Sequence, residues 1–261
     1  MQKNNYLVRL TFDKGFRNAV LSLAIKTIKL RYKNSLLGVF WSMLNPILFL
    51  IILIIVFSNF TSIDNYALYA LSGLVFWNFL SSSILQVLTS FIDNSSILKS
   101  INLHPFSFPL SATLAALINL LLTLIPFFVI MFFLGYQLNF SLLFLIPMLI
   151  VTSVFILGFG MLLGTLNVFF RDIQLLWNTI IPAFFYFTPI AYTADMLPES
   201  SRGLLKLNPF YYFIESFHAI FHQSKIPQMD DFLMCCGLAL VSFVLGYWVF
   251  RKYRKGFISN I

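Results

Sequence analysis

The chain has 261 residues, of which 59% are hydrophobic and only 10% charged, with 32 phenylalanines and a formal net charge of +8. Soluble domains carry roughly 25% charged residues, so a water-facing fold is excluded, as is any large domain outside a membrane once the crossings are counted. The positive charge does not point to nucleic acid either, because the basic residues crowd into the first 33 and last 11 positions, the flanks of membrane spans.

The chain opens polar and basic, without the early apolar run of a secretory signal. Between 12 and 30, Phe12, Phe16, Ala19, Val20, Leu23 and Thr27 recur at helical spacing, and Lys14, Arg17, Asn18, Lys26 and Lys29 supply polar positions. This segment predicts an amphipathic helix at the membrane interface, apolar face inward and lysines toward the headgroups; the alternative is a basic topology signal with no further role. Windows free of Asp, Glu, Lys and Arg then lie at 34–63, 65–92, 100–170, 173–194 and 232–250. A crossing takes about 20 such residues. The longest window therefore holds two crossings, divided near Gly135–Asn139. Six crossings are predicted, at 37–57, 66–88, 108–134, 141–169, 173–193 and 232–250, in an all-α integral membrane protein of one domain spanning 1–261.

An even number of crossings puts both termini on one side. With that side cytoplasmic, 14 Lys and Arg fall inside and only Arg202, Lys206 and Lys225 outside, which is the positive-inside pattern. The expected topology is N-in and C-in. Residues 194–231 form the sizeable external stretch, and they are too apolar for an ordinary exposed loop. Asn208 and Pro209 have the form of a helix cap and first-turn proline. A pair of short re-entrant helices shielded by protein is the expected form, with an amphipathic hairpin on the membrane surface as the alternative.

No phosphate loop of the form G-x-x-x-x-G-K-[ST] occurs, and neither H-E-x-x-H nor G-x-S-x-G is present, so no enzyme of those classes is indicated. His218 and His222 share a helical spacing with Glu215, but polar residues on an external helix explain them better than a metal site. Cys235 and Cys236 are neighbours, an awkward geometry for a disulfide, and have no metal-ligand spacing. The predicted span interiors carry almost no ionisable groups. Secondary carriers need such groups, so the energy is expected from another subunit. Gly160 and Gly164 form a small-x-x-x-small pattern, assigned to packing within the subunit ahead of dimerisation. Arg171 and Asp172 lie in a very short turn, either as a local ion pair or as a contact for a cytoplasmic partner.

Four pieces carry a family likeness. Arg31–Trp41 (RYKNSLLGVFW) runs into Asn45-Pro46; Phe169–Ile173 (FFRDI) separates spans four and five; Phe187–Tyr192 (FTPIAY) precedes Leu197-Pro198; and Leu207–Phe210 (LNPF) follows. In this order and spacing the chain resembles the membrane subunit of ABC-2 type polysaccharide exporters, the O-antigen and teichoic-acid export permeases. The resemblance implies a homodimer in the inner membrane that works with two copies of a separate ATPase. ATP and Mg2+ would bind that partner, with no cofactor in this chain. The substrate it implies is a lipid-linked polysaccharide, O-antigen-like, with teichoic acid, or drugs and small lipids, as alternatives. It also implies a cytoplasmic coupling region at 89–107, with Asp93, Lys99 and His104, to which Arg171 and Asp172 are added. External gate helices would fall within 189–222, with Pro189, Asn208, Pro209 and Glu215 as candidates.

A conduit for glycan calls for aromatic faces and neutral hydrogen-bonding groups. Tyr66, Tyr69, Trp77 and Asn78 in span two and Trp177, Phe184, Phe185, Tyr186 and Tyr192 in or beside span five are the candidates; lipid contact is the competing explanation for any one aromatic. Lys26, Lys29, Arg31 and Lys33 are the candidates for holding a carrier's pyrophosphate at headgroup level, or else they only anchor topology.

Overall fold

A computed structural model describes residues 14–33, 40–57, 63–100, 103–135 and 139–260, and every regular element among them is helical. Phe12 and most of the Arg31–Trp41 segment, residues 34–39, lie outside the described residues. In chain order the helices are α1 (Lys14–Tyr32), α2 (Phe40–Phe57), α3 (Tyr66–Asp93), α4 (Ser95–Ser100) and α5 (Ser107–Phe133). They continue with α6 (Leu145–Phe169), α7 (Asp172–Phe187), α8 (Glu199–Leu205), α9 (Pro209–Phe221), α10 (Met229–Tyr253) and α11 (Phe257–Asn260).

Among the described residues, four helical stretches are long and apolar enough to cross a membrane: Tyr66–Asp93, Ser107–Phe133, Phe140–Phe169 and Met229–Gly256. This is a multi-pass membrane protein. At 18 and 16 residues, α2 and α7 are shorter, about 27 and 24 Å at 1.5 Å per residue. Their outward faces are equally apolar, as at Ile51, Ile52, Ile55, Leu175, Leu176 and Ile180.

The helix ends differ from expectation in places with local causes. The crossing expected at 173–193 ends at Phe187, because Thr188 takes extended backbone (ψ 131°) ahead of Pro189, as a residue before proline is pressed to do. That expected at 66–88 continues to Asp93, so the start of the expected coupling loop is helix. The segment 141–169 divides into a 3-10 turn at Phe140–Phe144 and then α6.

Helix α3 is the axis of the bundle. It packs against α2, α5, α6, α7 and α9, and its residues Ala70, Leu71, Phe76, Leu80, Ile84 and Val87 are buried. Lipid tails are as apolar as these side chains, so close packing rather than exclusion from water holds such helices together. Small residues allow it. A Cβ on Gly160 would strike Val87 of α3 at 2.6 Å, and one on Gly164 would press the Leu88 carbonyl at 3.0 Å. The Gly160–Gly164 pattern therefore serves packing inside this chain. The second close crossing joins α6 to α10, where Gly158 faces the Phe243 backbone and Gly246 faces the Gly158 carbonyl.

Leu23 of α1, Phe91 of α3, Leu98 of α4, Phe106, Phe250 of α10 and Phe257 of α11 form one buried cluster at one end of the bundle. Both terminal regions of the described chain thus meet at a single end, which also carries Lys99, Arg171 and Arg254 and is called the basic end below.

Helix α9 starts deep and ends at the opposite end. Phe210, in its first turn, packs 5.6 Å from Trp77 in the middle of α3. Farther along, Phe217 stacks on Phe76 at 3.7 Å, and Nε2 of His222 lies 2.6 Å from the Asp64 carbonyl oxygen, just ahead of α3. Helix α9 is thus antiparallel to the first half of α3 and ends level with its start. Asn208 fixes its origin: Oδ1 accepts from the Phe210 N–H (3.0 Å), and Nδ2 donates to Thr188 Oγ1 (2.8 Å) and the Phe187 carbonyl (3.2 Å). Asn208→Ala is expected to lose about 1 kcal/mol for the cap and a further 1–3 kcal/mol or so for the buried groups left unpaired. The melting temperature in detergent should fall accordingly, and Asn208→Ser should recover the cap's share.

Candidate functional site

Polar residues in a helix that must lie in lipid need a reason. On α3, Asn78, Ser82 and Gln86 stand four residues apart and so share one face. They wall a cavity of about 230 Å³ together with Asn45 of α2, Asn119 and Thr123 of α5, Arg31 of α1, and Trp41. A second cavity of about 260 Å³ lies between α2, α3 and α7, lined by Phe49, Trp77, Ser81, Pro182, Phe185 and Tyr186. Both include Asn45 and Asn78, so the two adjoin along α3. The first is rich in amides and hydroxyls, the second in aromatic rings.

Within the first cavity several side-chain donors are already engaged. Asn78 Nδ2 donates to the Leu74 carbonyl (2.8 Å), Ser82 Oγ to that of Asn78 (2.5 Å), and Gln86 Nε2 to that of Ala112 (3.4 Å). The Tyr32 hydroxyl donates to Asn119 Oδ1, tying α1 to α5. Asn78 Oδ1 and Gln86 Oε1 have no partner among the described residues, and neither does Arg31, whose five N–H groups form a rigid fork. Lys26, Lys29 and Lys33 are exposed, like Arg31, but of the four only Arg31 lines the cavity.

The remaining aromatic candidates divide into two sets. Trp77, Phe185 and Tyr186 line the second cavity with Asn78, and Tyr186 is 77% exposed. Tyr66 and Tyr69 lie apart from both cavities. Their hydroxyls donate to the carbonyls of Ala191 (3.1 Å) and of Tyr192 (2.8 Å), fastening α3 to the turn after α7. The Tyr192 hydroxyl donates to the Tyr186 carbonyl at 3.0 Å. Trp177 is buried between Phe159 and Phe210, and Phe184 packs on Phe210.

Pro189 lies in that same fastened turn, its carbonyl 3.2 Å from the Tyr69 hydroxyl, and Pro209 opens α9 as its first helical residue. Glu215 is on α9 and makes no hydrogen bond among the described residues. His218, expected as an interfacial polar residue, is instead fully buried. Its ring lies 3.9 Å from that of Tyr69, and a Cβ on Gly73 would meet its Nε2 at 2.7 Å. A glycine on α3 opposite a histidine on α9 is a signal no single-helix pattern contains. No group of three or more His, Cys, Asp or Glu among the described residues could hold a metal ion.

At the basic end, Asp93 closes α3 and Lys99 lies in the last turn of α4. Arg171 and Asp172 are exposed and form no ion pair with each other. His104 connects the segment to both ends of the chain: its ring meets Phe16 of α1 edge-on at 6.4 Å, and Arg254 Nη1 lies 2.9 Å from its Nε2. Burial, and then the Arg254 charge, hold the imidazole below its ordinary range. The unfolded chain therefore binds a proton near pH 6.5 that the folded clamp refuses. Its stabilising contribution is full above that pH and is lost on acidification. Corrected for the intrinsic pH dependence of exchange, the protection of amides in 95–100 and 103–107 is expected to fall as pH drops from about 7.5 to 5.5, and the His104→Gln protein should lose that dependence.

Sequence reasoning missed Asn45, Ser82, Gln86 and Asn119. The spacing of Asn78, Ser82 and Gln86 was a usable signal, a polar stripe on an apolar helix; Asn45 and Asn119 join it only through tertiary packing.

The chain matches the ABC-2 type transporter family over residues 18–222, and it belongs to that family of membrane permeases. It is similar to two O-antigen export system permease proteins RfbA from Klebsiella pneumoniae, at 30% and 32% identity over 255 residues, covering 96% of this chain and 98% of each relative. A third such protein, from Myxococcus xanthus, is 25% identical over 250 residues, 94% of this chain and 96% of the relative.

Proposed function

We propose that this protein is the permease subunit of an inner-membrane exporter for a lipid-linked, O-antigen-like polysaccharide, driven by two copies of a separate ATPase acting on a homodimer of this chain. The observation that carries the reading is the pair of adjoining cavities along α3, amide-lined on one side of Asn45 and Asn78 and aromatic-lined on the other. Hydroxyl-rich, C–H-faced sugars suit that sequence of surfaces. The names of the relatives, aligned over nearly the whole chain, favour the same substrate.

In this reading the chain is a single domain that crosses six times, the short α2 and α7 included, with both termini cytoplasmic. The shared buried cluster of α1 and α11 and the excess of Lys and Arg at that end support this orientation. Helix α1 lies at the cytoplasmic interface with Lys26, Lys29 and Lys33 toward headgroups, and Arg31 meets the carrier's pyrophosphate. Trp77, Asn78, Phe185 and Tyr186 face the glycan. Tyr66, Tyr69, Tyr192, Trp177 and Phe184 brace the wall behind them.

Helices α8 and α9 form the external gate, re-entrant because α9 begins beside Trp77 at mid-depth; Pro189, Asn208, Pro209 and Glu215 belong to it. The segment 89–107, with Asp93, Lys99 and His104, and the Arg171-Asp172 turn receive the ATPase. Cells lacking the protein are expected to accumulate the lipid-linked glycan on the cytoplasmic leaflet. Unchanged glycan export in those cells would refute the reading. ATPase stimulation by small lipids or drugs in place of glycan would favour the other branch of the family.

A further inference from the structure

We infer that the cavity walled by Arg31, Asn45, Asn78, Gln86 and Asn119 is a binding site for the junction between lipid diphosphate and first sugar, within a single subunit. This deepens the export reading above and rests on it. The hydrogen-bonding capacity left over in the cavity is the starting point. Among the described residues Arg31 and Asn45 have no hydrogen-bond partner, and Asn119 Nδ2 has none either, its Oδ1 having accepted from Tyr32. These donors sit with the acceptors Asn78 Oδ1 and Gln86 Oε1, which have no partner among the described residues and whose amide nitrogens each already give one N–H to a backbone carbonyl.

The ligand this fits carries negative charge at one place and hydroxyl donors beside it. A free phosphate would satisfy Arg31 and set its oxygens against the two amide oxygens. A hydrocarbon would leave Arg31 and the free amide oxygens of Asn78 and Gln86 without partners, at a cost that buried polar groups do not tolerate. A sugar phosphate answers both: its oxygens accept from the guanidinium fork, and its hydroxyls donate to Asn78 and Gln86. Trp41, 54% exposed at the cavity edge, presents an aromatic face for the C–H side of a ring. The volume of about 230 Å³ is below the roughly 300–1,000 Å³ of sites for drug-sized ligands, so the cavity takes one sugar with its phosphate and not a run of polymer. Recognition of the first sugar would then be a property of each subunit, ahead of the aromatic surface that follows Asn78.

The test is equilibrium binding to wild-type protein and to Asn45→Ala and Gln86→Leu variants in nanodiscs. The probes are a polyprenyl diphosphate carrying one sugar, the same lipid diphosphate without sugar, and inorganic diphosphate. Wild type is expected to bind the sugar-bearing lipid about tenfold tighter than the bare one, a difference one or two hydrogen bonds supply. Each variant should lose that preference while its affinity for the bare lipid is unchanged. Asn45→Ser keeps a small polar residue on an open face of α2 and serves where Gln86→Leu fails to fold. Equal binding of the two lipids by wild type, full competition by inorganic diphosphate, or variants that keep the preference would each overturn the inference while leaving the export reading intact. Binding of neither lipid would overturn both.

Discussion

Gly246→Ala is expected to lower the melting temperature of the purified protein in detergent by several degrees, although it adds one methyl group in a helix. Helices usually gain from this change, by roughly 0.5–1 kcal/mol. Here the new Cβ would meet the Gly158 carbonyl oxygen well inside contact distance, and a Cβ on Gly158 would in turn meet the backbone of Phe243. No side chain can rotate away, because both partners are main chain, so α6 and α10 must separate. Overpacking of a well-filled interior costs about 1–3 kcal/mol, and each kcal/mol is worth about 2–4 °C in a chain of this size. Gly237, about two and a half turns earlier in α10, is the internal control. A Cβ there has open space, so Gly237→Ala should leave the melting temperature level or slightly raised. Equal melting of Gly246→Ala and wild type would mean that this crossing is not as close as described.

Arg31→Gln should reduce export by about ten- to a hundredfold, the worth of a charge-assisted hydrogen bond of about 1.5–3 kcal/mol, with membrane insertion and assembly with the ATPase unchanged. Arg31 is singled out from its neighbours because Lys26, Lys29 and Lys33 do not reach the amide-lined cavity. Glutamine keeps much of the side chain's reach and removes the charge and the bidentate fork. Arg31→Lys should fall between the two, since an ammonium offers the charge as a point and not as a plane. Normal transport of lipid-linked glycan by Arg31→Gln in reconstituted vesicles would reduce Arg31 to a topology anchor.

The long apolar helices were legible because charge-free windows are long-range, redundant signals: a slip of one residue leaves a crossing a crossing. The start of α9 was legible for a different reason, as Asn208-Pro209 is local chemistry and the cap forms from it. What the chain order could not convey is which faces meet. The burial of His218 depends on Gly73, which is 145 positions away and removes a side chain at that spot. Tyr66 and Tyr69 read as free aromatics, yet the carbonyls they bond belong to a turn more than 100 residues later. The first cavity shows both cases: its α3 stripe repeats every four residues, whereas Asn45, Asn119 and Arg31 reach it from three other helices.

The decisive measurement is translocation of a lipid-linked polysaccharide in proteoliposomes holding this protein with its partner ATPase. Glycan should become accessible on the far face only with both subunits and hydrolysable ATP present, and Arg31→Gln should slow its arrival. Passage at the same rate without the ATPase, or none with the complete pair and ATP, would contradict an ATP-driven glycan permease.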